Sequence, residues 1–297
     1  MENEIYYLYP NNWWEGFITK TDANHIGFFE ILLSKTKIKK FEITYDLNKA
    51  NVLLEANYPN EHIHNYKIWK YKINFIGEPC LPKHECYDVV LTSVNNIKNV
   101  VDLPLCVAYI HCNNFSPFLL NRPKIITVPN DFCTFIVSNP KCEIRNKIFQ
   151  KLNLYKKVNS MGDYANNVGY KITYPYWSQD YFNVLKRHKF MICFENTKME
   201  TYSTEKIVNP YLSGTIPIYW GSNNVKNIFN PDSMLFLEDE SEESINKLIE
   251  QIIELDNDDK KYLEFINRPT FTEENIKFWS ENYTIDSLAK KINEILV

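Results

Sequence analysis

The densest group of residues that could do chemistry lies between residues 194 and 221 of the 297-residue chain. An apolar, strand-like stretch passes there into a polar loop, and the loop leads into a helical pattern that Thr204 or Ser203 can cap. Glu205 and Lys206 occupy the first turn of that helix. Free backbone N–H groups, the helix dipole and the Lys206 ammonium all favour an anion at such a helix start. The segment therefore predicts a site for a diphosphate.

The same first turn also has a purely structural interpretation. A helix dipole alone favours a carboxylate such as Glu205 near the helix N-terminus, by about 0.3–1 kcal/mol. Judged from these residues without a family comparison, the two interpretations carry similar weight.

Charge and glycine content narrow the class of ligand. The formal net charge of −4 and the pI of about 5.9 give no basic footprint for nucleic acid, so a phosphate site must be a local cluster. The seven glycines form neither G-x-G-x-x-G nor G-x-x-x-x-G-K-[ST]. The usual phosphate cradles of dinucleotide oxidoreductases and P-loop phosphotransferases are therefore missing.

Cysteine usage and hydropathy indicate the compartment. The seven cysteines form no C-x-x-C pair and are odd in number, which predicts reduced thiols, with structural disulfides as the alternative. Neither a secretory signal nor an apolar run of about 18 residues is evident. We therefore expect a cytoplasmic protein, in the host cytoplasm if viral, without an integral membrane segment; a removed anchor is the alternative.

Strand-like and helix-like stretches alternate along the chain, which favours α/β units with largely parallel sheets. Strands are predicted at residues 5–9, 41–45, 51–56, 72–78, 88–93, 104–110, 132–138, 190–195 and 215–220. Helices are predicted within residues 24–35, 143–155, around Glu205, within 241–255 with Ser241 as N-cap, and within 284–297. The proline-containing stretch 111–130 is predicted to be a linker. Two packed Rossmann-like domains are the economical interpretation.

The C-terminal half contains an ordered series of motifs. They are V-S-N-P (137–140), R-N (145–146), F-E-N (194–196), Y-x-T-E-K (202–206), G-T-x-P-I-Y-W-G (214–221) and N-P-x-S (230–233). In this order they resemble the donor-site signature of the α1,3/α1,4-fucosyltransferases, of the bacterial type, over residues 132 to about 269. The resemblance implies the GT-B fold, two Rossmann-like domains facing across a cleft.

The resemblance also implies how the chain is divided. An acceptor-binding α/β domain is expected over residues 1–120, and a GDP-sugar donor-binding Rossmann-like domain over residues 121–280. Residues 281–297 are expected to form a C-terminal amphipathic helix.

By their place in the motifs, five residues resemble the family's donor-binding residues. Arg145 and Lys206 match the cations that hold the GDP diphosphate, a role that suits a bidentate guanidinium and an ammonium point charge. Asn196, Tyr202 and Glu205 match residues that contact the ribose, the phosphates or the fucose. Outside its motif, Arg145 would be interpreted as an ordinary solvated side chain on a helix.

The first third of the chain resembles the family more thinly, in F-I-G-E-P (75–79), Y-D-V-V-L-T-S (87–93) and residues 104–109. The matching carboxylate is Glu78, at the end of a predicted strand. Inversion requires a base that takes the acceptor proton while the acceptor oxygen attacks the fucose C1, and Glu78 is the predicted base. A surface glutamate beside Pro79 is the alternative.

Two positions depart from the family pattern. Met161 and Asp163 flank Gly162 where the family shows a second glycine and a basic residue, which affects one phosphate or base contact. Pro210 lies inside the helix predicted after Lys206, where it removes a backbone hydrogen bond and should kink the chain.

No essential metal or other cofactor is predicted. The D-x-D spacing at residues 256–258 follows an amphipathic helix and is interpreted as a solvated turn. His62 and His64 have no accompanying cysteine or carboxylate cluster.

The sequence therefore predicts an inverting glycosyltransferase that moves fucose from GDP-fucose, its donor substrate, to an oligosaccharide or glycoconjugate acceptor. The expected acceptor position is O3 of GlcNAc or glucose, and the oligomeric state is open. Two alternatives are an enzyme that uses another nucleotide-sugar donor and an inactive module that binds glycans or nucleotides. Release of GDP from GDP-fucose in the presence of N-acetyllactosamine separates them.

Overall fold

The computed structural model describes residues 4–13, 25–57 and 61–296. The strands are β1 (Tyr6–Asn11), β2 (Phe41–Ile43), β3 (Val52–Ala56), β4 (Tyr71–Ile76), β5 (Val89–Thr92), β6 (Val100–Asp102), β7 (Asp131–Phe135), β8 (Val158–Ser160), β9 (His188–Ile192), β10 (Ile216–Tyr219) and β11 (Leu235–Phe236). The α-helices are α1 (His25–Ser34), α2 (Glu61–His64), α3 (Leu105–Cys112), α4 (Ser116–Leu120), α5 (Glu143–Tyr155), α6 (Gln179–Leu185), α7 (Glu205–Ser213), α8 (Val225–Ile228), α9 (Glu242–Asn257), α10 (Asp259–Ile266), α11 (Glu273–Asn282) and α12 (Ile285–Ile295). None of these helices is long and apolar enough to cross a membrane.

The chain divides into two compact units. The first comprises Met1–Asn114, Met199–Tyr202 and Lys277–Val297, and the second comprises Phe115–Lys198 and Ser203–Ile276. The first unit is therefore discontinuous in sequence, because it takes up a short inner segment and the end of the chain. The acceptor and donor ranges expected from the family resemblance stay predictions, since these units are defined by packing alone.

The first unit is built on a parallel sheet. Its described strands follow the order β2-β1-β3-β4-β5-β6, and all are parallel to their neighbours. Strands β3 and β5 are buried at every position, as expected for inner strands covered on both faces. Helix α12 packs on β6 and α1, and its Leu288 and Ile292 are buried. The unit is an α/β domain, as the alternating pattern predicted.

The second unit is also built on a parallel sheet, with the described strands in the order β11-β10-β9-β7-β8. The chain passes from β7 to β8 in one direction, and from β9 through β10 to β11 in the other. The order therefore reverses between β7 and β9. In open α/β sheets, ligands bind outside the carboxyl ends of the strands at such a switch point. Strands β7 and β9 flank the switch point. Helix α5 follows β7 along the chain, and helix α7 follows β9.

One of the sequence predictions about local structure is wrong. Residues 104–110 form most of helix α3 and not a strand, because a short apolar run that is buried throughout cannot be assigned by periodicity alone. The predicted linker, 111–130, includes the boundary between the two units, which lies between Asn114 and Phe115, and it also contains helix α4.

Other local predictions are confirmed. Helix α5 spans Glu143–Tyr155, and Ser241 caps α9 by accepting a hydrogen bond from the Ser244 N–H at 3.2 Å. Helix α7 continues past Pro210 to Ser213 and ends at Gly214, which has a φ of 72°. The proline therefore does not end the helix.

Candidate functional site

Arg145 lies in the first turn of α5 and is almost completely buried, with 1% of its surface exposed. Its Nη1 donates to Oδ1 of Asn196 at 2.8 Å and to the carbonyl oxygen of Phe194 at 3.4 Å. Its Nη2 donates to the carbonyl oxygen of Asn139 at 2.7 Å. The guanidinium thus joins the segment after β7 to the segment after β9, and it is not an ordinary solvated arginine.

The start of α7 carries the second cation. Thr204 is the N-cap, and its Oγ1 accepts from the backbone N–H of Lys206 at 3.3 Å. The Lys206 ammonium donates to the same hydroxyl oxygen at 3.1 Å and lies 3.5 Å from Oε1 of Glu205. The side chains of Lys206 and Glu205 are partly exposed, by 22% and 23%. Both can therefore meet a ligand at this helix start.

Glu195 is the residue of this site to which the sequence assigned no role. Its carboxylate is fully buried and accepts from the Thr204 N–H at 2.8 Å and from the Thr204 hydroxyl at 2.9 Å. Its Oε2 lies 3.4 Å from the Lys206 ammonium. Burial raises the pKa of Glu195, while the charge of Lys206 and the bonds from Thr204 act to lower it. A glutamate that ends the apolar stretch F-M-I-C-F-E is the signal that could have singled it out.

Residues 194–196 join the two cations into one site. Phe194 and Asn196 hold the Arg145 guanidinium, and Glu195 between them holds Thr204 and the ammonium of Lys206. The structure therefore brings together four of the predicted donor-binding residues: Arg145, Asn196, Glu205 and Lys206.

Tyr202 and Glu78, the remaining predicted site residues, belong to the first unit. Tyr202 is buried, with 2% of its surface exposed. Glu78 is exposed, two residues beyond the end of β4, so its predicted place at the carboxyl end of a strand is confirmed. Its side chain makes no hydrogen bond or ion pair with any residue in the described ranges.

Residues 256–258 are not the solvated turn that the sequence predicted. The Asp256 carboxylate is buried and lies 3.0 Å from the ammonium groups of both Lys156 and Lys189. Asp258 caps α10 by accepting from the N–H of Lys261 at 3.0 Å. Within the described part of the chain, no group of three or more His, Cys, Asp or Glu side chains could hold a metal ion.

The arrangement is suited to an anionic group of a ligand. Two helix starts lie at the switch point of the sheet, each with a cation in its first turn, and the backbone N–H groups of a helix start also attract anions. The carboxylates of Glu195 and Glu205 both lie close to the Lys206 ammonium, at 3.4 and 3.5 Å, whereas the Arg145 guanidinium donates to the neutral oxygens of Asn139, Phe194 and Asn196. Fixed donors and charges of this kind stabilise negative charge that develops on a leaving group.

Solved structures share this fold. A crystal structure of an α1,3-fucosyltransferase has a TM-score of 0.77 and 21% identity, over 98% of this chain and 90% of that chain. Crystal structures of α1,3-fucosyltransferase with GDP and with GDP-fucose have TM-scores of 0.72 and 0.71, each at 20% identity, over 98% and 99% of this chain and 90% and 91% of theirs. The predicted fold class, two parallel-sheet Rossmann-like domains of the GT-B type, is confirmed.

Residues 129–295 match the model of the glycosyltransferase family 10 (fucosyltransferase) C-terminal region. The chain belongs to glycosyltransferase family 10, the fucosyltransferase family. The α-(1,3)-fucosyltransferase FucT of Helicobacter pylori is 37% identical over 137 residues, 43% of this chain and 26% of that protein. The human 4-galactosyl-N-acetylglucosaminide 3-α-L-fucosyltransferase 9 is 25% identical over 171 residues, 54% of this chain and 44% of that protein. The matched region therefore spans less than half the length of these relatives.

Proposed function

We propose that this protein transfers fucose from GDP-fucose to a hydroxyl group of a glycan, with inversion at the fucose C1. The observation that carries the proposal is the pair of cations, Arg145 and Lys206, that residues 194–196 hold at two helix starts beside the switch point. Membership of the fucosyltransferase family supports a GDP-sugar as the donor. The GDP diphosphate would bind at the start of α7, where the Lys206 side chain is partly exposed.

The two cations have different tasks in this proposal. Lys206 can contact a phosphate oxygen directly, since its side chain is partly exposed. Arg145 attracts the diphosphate by its charge from where it lies, and a direct bond through Nη1 requires Asn196 to move away. Asn196 is itself exposed and can then turn to the ribose, the phosphates or the fucose.

The reaction requires an acid–base group and a stabilised leaving group. In the proposal, Glu78 takes the proton of the acceptor hydroxyl as the oxygen attacks C1, and the bond from C1 to the phosphate oxygen breaks on the opposite face. Positioned bases typically contribute about 10²–10⁴-fold to the rate. The cations and the N-terminus of α7 stabilise the negative charge that develops on GDP. Because these groups can supply the needed positive charge, we propose that no divalent metal is essential.

The acceptor is proposed more broadly, as an oligosaccharide or glycoconjugate that is fucosylated at O3 of GlcNAc or glucose. This proposal rests on the family resemblance of the chain and not on a contact in the structure. An enzyme with another nucleotide-sugar donor and an inactive binding module are the competing functions.

A donor and acceptor assay tests these possibilities together. GDP release is measured from GDP-fucose with N-acetyllactosamine, with GDP-mannose and UDP-galactose as alternative donors and with EDTA in a parallel reaction. We expect release from GDP-fucose that depends on the acceptor and persists in EDTA. Turnover of only another donor, or tight GDP binding without transfer to any glycan of an array, would contradict the proposal.

A further inference from the structure

The carboxylate of Glu195 is surrounded by donors from the start of α7. It accepts both the N–H and the hydroxyl of Thr204, and the ammonium of Lys206 lies 3.4 Å away. The Thr204 oxygen in turn accepts from the N–H and the ammonium of Lys206. Glu195 therefore orients Lys206 both directly and through the cap of the helix.

The position of this carboxylate is fixed by close packing against the segment after β10. A Cβ atom on Gly221 would lie 2.8 Å from Cγ of Glu195 and 2.6 Å from the hydroxyl oxygen of Tyr219. The hydroxyl of Tyr219 donates to Oε1 of Glu195 at 3.4 Å. The side chain thus has little room to change its position, and a group that it holds is held in a fixed place.

A buried carboxylate beside a diphosphate site needs a reason, since its charge opposes that of the ligand. Burial of a charge without partners is strongly unfavourable, and here Lys206 and Thr204 supply these partners. The Glu195 carboxylate lowers the positive charge of the site, but it also orders the Lys206 ammonium before the ligand binds. Preorganised charges of this kind lose little free energy to reorganisation when they act.

We propose that Glu195 is a positioning residue for the donor diphosphate, which acts by fixing the ammonium of Lys206 at the capped start of α7. The inference rests on the proposed function, because it assigns Lys206 to the diphosphate of GDP-fucose. Glu195 itself is fully buried, so its effect on the ligand would pass through Lys206.

The substitution Glu195→Gln removes the negative charge of the side chain and keeps its size and shape. The amide oxygen can still accept from Thr204, but the amide nitrogen then faces the Lys206 ammonium, donor against donor, in place of Oε2. Lys206 should then leave its place. We expect GDP to bind about 10-fold more weakly, as for the loss of one hydrogen bond to a charged group, with little change for guanosine.

The experiment compares the affinities of GDP and guanosine in ligand-observed NMR titrations of the intact chain. Asp256→Asn is the matched control, because it also removes a buried carboxylate 3.0 Å from a lysine ammonium, but far along the chain from the motifs of the site. This control should lower stability and keep the GDP affinity of the wild type. Equal weakening of GDP and guanosine by Glu195→Gln, or no weakening of GDP, would overturn the positioning role.

A double substitution tests whether Glu195 acts through Lys206. If it does, Glu195→Gln with Lys206→Met weakens GDP binding by clearly less than the sum of the two single effects, and fully additive losses would overturn the inference. If Glu195→Gln does not fold, Thr204→Val is used in its place, because it removes the hydroxyl between Glu195 and Lys206. It should give the same selective loss of GDP affinity. An unchanged GDP affinity of Thr204→Val would then overturn the inference. A wild-type protein that binds no GDP would instead refute the proposed function itself.

Discussion

Substitution of Glu78 should lower the rate of fucose transfer and leave the binding of GDP almost unchanged. The substitution Glu78→Gln keeps the shape of the side chain but cannot accept the acceptor proton, so we expect kcat to fall by about 10²–10⁴-fold. The affinity for GDP should stay within about twofold, because Glu78 belongs to the other structural unit from Arg145 and Lys206. Steady-state GDP release and calorimetric titration with GDP measure the two quantities.

Glu85→Gln is the control for this prediction, because Glu85 is an exposed glutamate of the same unit, seven residues further along the chain. It should leave kcat unchanged. A Glu78→Gln protein with wild-type turnover would remove Glu78 from the role of base.

Arg145 should be intolerant of even a lysine. Its planar fork donates in two directions, to Asn196 and Phe194 through Nη1 and to Asn139 through Nη2, and one ammonium cannot reproduce this geometry. We expect Arg145→Lys to lower the free energy of unfolding by about 1–3 kcal/mol, since a buried carbonyl loses its donor. GDP affinity should fall as well, by about 10-fold, because the ammonium keeps the charge but cannot take the fixed position of the guanidinium.

Urea unfolding and GDP titration of Arg145→Lys measure these two effects. Arg187→Lys is the control, because the Arg187 side chain is 69% exposed and belongs to the same unit. A stable Arg145→Lys protein that binds GDP like the wild type would show that the guanidinium geometry is not required.

For single residues, the sequence predicted which residues form the site better than it predicted their burial and contacts. The ordered motifs were sufficient to select Arg145, Asn196, Glu205 and Lys206, which the structure brings together. They did not predict that Arg145 is buried, because burial depends on Asn139 and Phe194 from two separate segments. The contacts of the buried Glu195 carboxylate with Thr204 and Lys206 were not predicted either.

The turn after β8 leaves no room for a side chain at Gly162. A Cβ atom on Gly162 would lie 2.2 Å from the carbonyl oxygen and 2.5 Å from the nitrogen of Val137, which are backbone atoms that cannot turn away. We expect Gly162→Ala to lower the free energy of unfolding by about 2 kcal/mol or more, because the segments after β7 and β8 must separate.

Gly77→Ala is the control for this prediction, measured in the same urea unfolding experiment. Its new Cβ would make ordinary contacts, at 3.4 Å and beyond, with Leu105 and Phe75. The stability of this variant should stay within about 0.5 kcal/mol of the wild type. Equal stabilities of the two variants would contradict the close approach at Gly162.

The elements that the sequence predicted well are those with a long, regular pattern. Helices α5 and α9 both have polar faces and buried apolar positions that repeat at helical spacing, and both were predicted. Helix α9 is also capped by Ser241. The short strands β6, β8 and β11 have only two or three residues, too few for a period to emerge. Helix α3 was mistaken for a strand because its burial on all sides leaves no polar face.

For the molecule as a whole, one buried and two half-buried histidines predict how stability changes with pH. Burial lowers the pKa of His64, His111 and His188 below the usual 6.5. Below pH 6.5 the unfolded chain therefore takes up protons that the folded protein does not, and stability falls as the pH falls. Burial raises the pKa of Asp102 and Glu195, and these raised values increase stability as the pH falls. The contribution of one histidine is therefore measured by comparing a variant that lacks it with the wild type.

His188→Gln isolates one of these contributions. His188 Nε2 lies 3.0 Å from Nδ2 of Asn159, and glutamine offers an oxygen in a similar place without titrating. Between pH 6.5 and 5, the unfolding free energy of the variant should change less steeply than that of the wild type, by up to about 1.4 kcal/mol per pH unit. Urea unfolding at a series of pH values measures the difference, and parallel curves would contradict the prediction.

The two-domain organisation followed from the alternation of strands and helices, but the path of the chain between the units did not. Sequence patterns are local, whereas the return of residues 277–297 to the first unit depends on distant contacts, such as that of the Lys37 N–H with Oδ1 of Asn293 at 2.7 Å. No period or motif in either segment predicts its partner.

This return of the chain also sets an order of assembly on the ribosome. Residues 277–297 are translated after every residue of the second unit, so the first unit lacks α12, with its buried Leu288 and Ile292, while the second unit is made. Domains generally fold as units during translation, at about 5–20 residues per second. The surface of β6 and α1 that α12 covers therefore stays uncovered throughout the synthesis of the second unit.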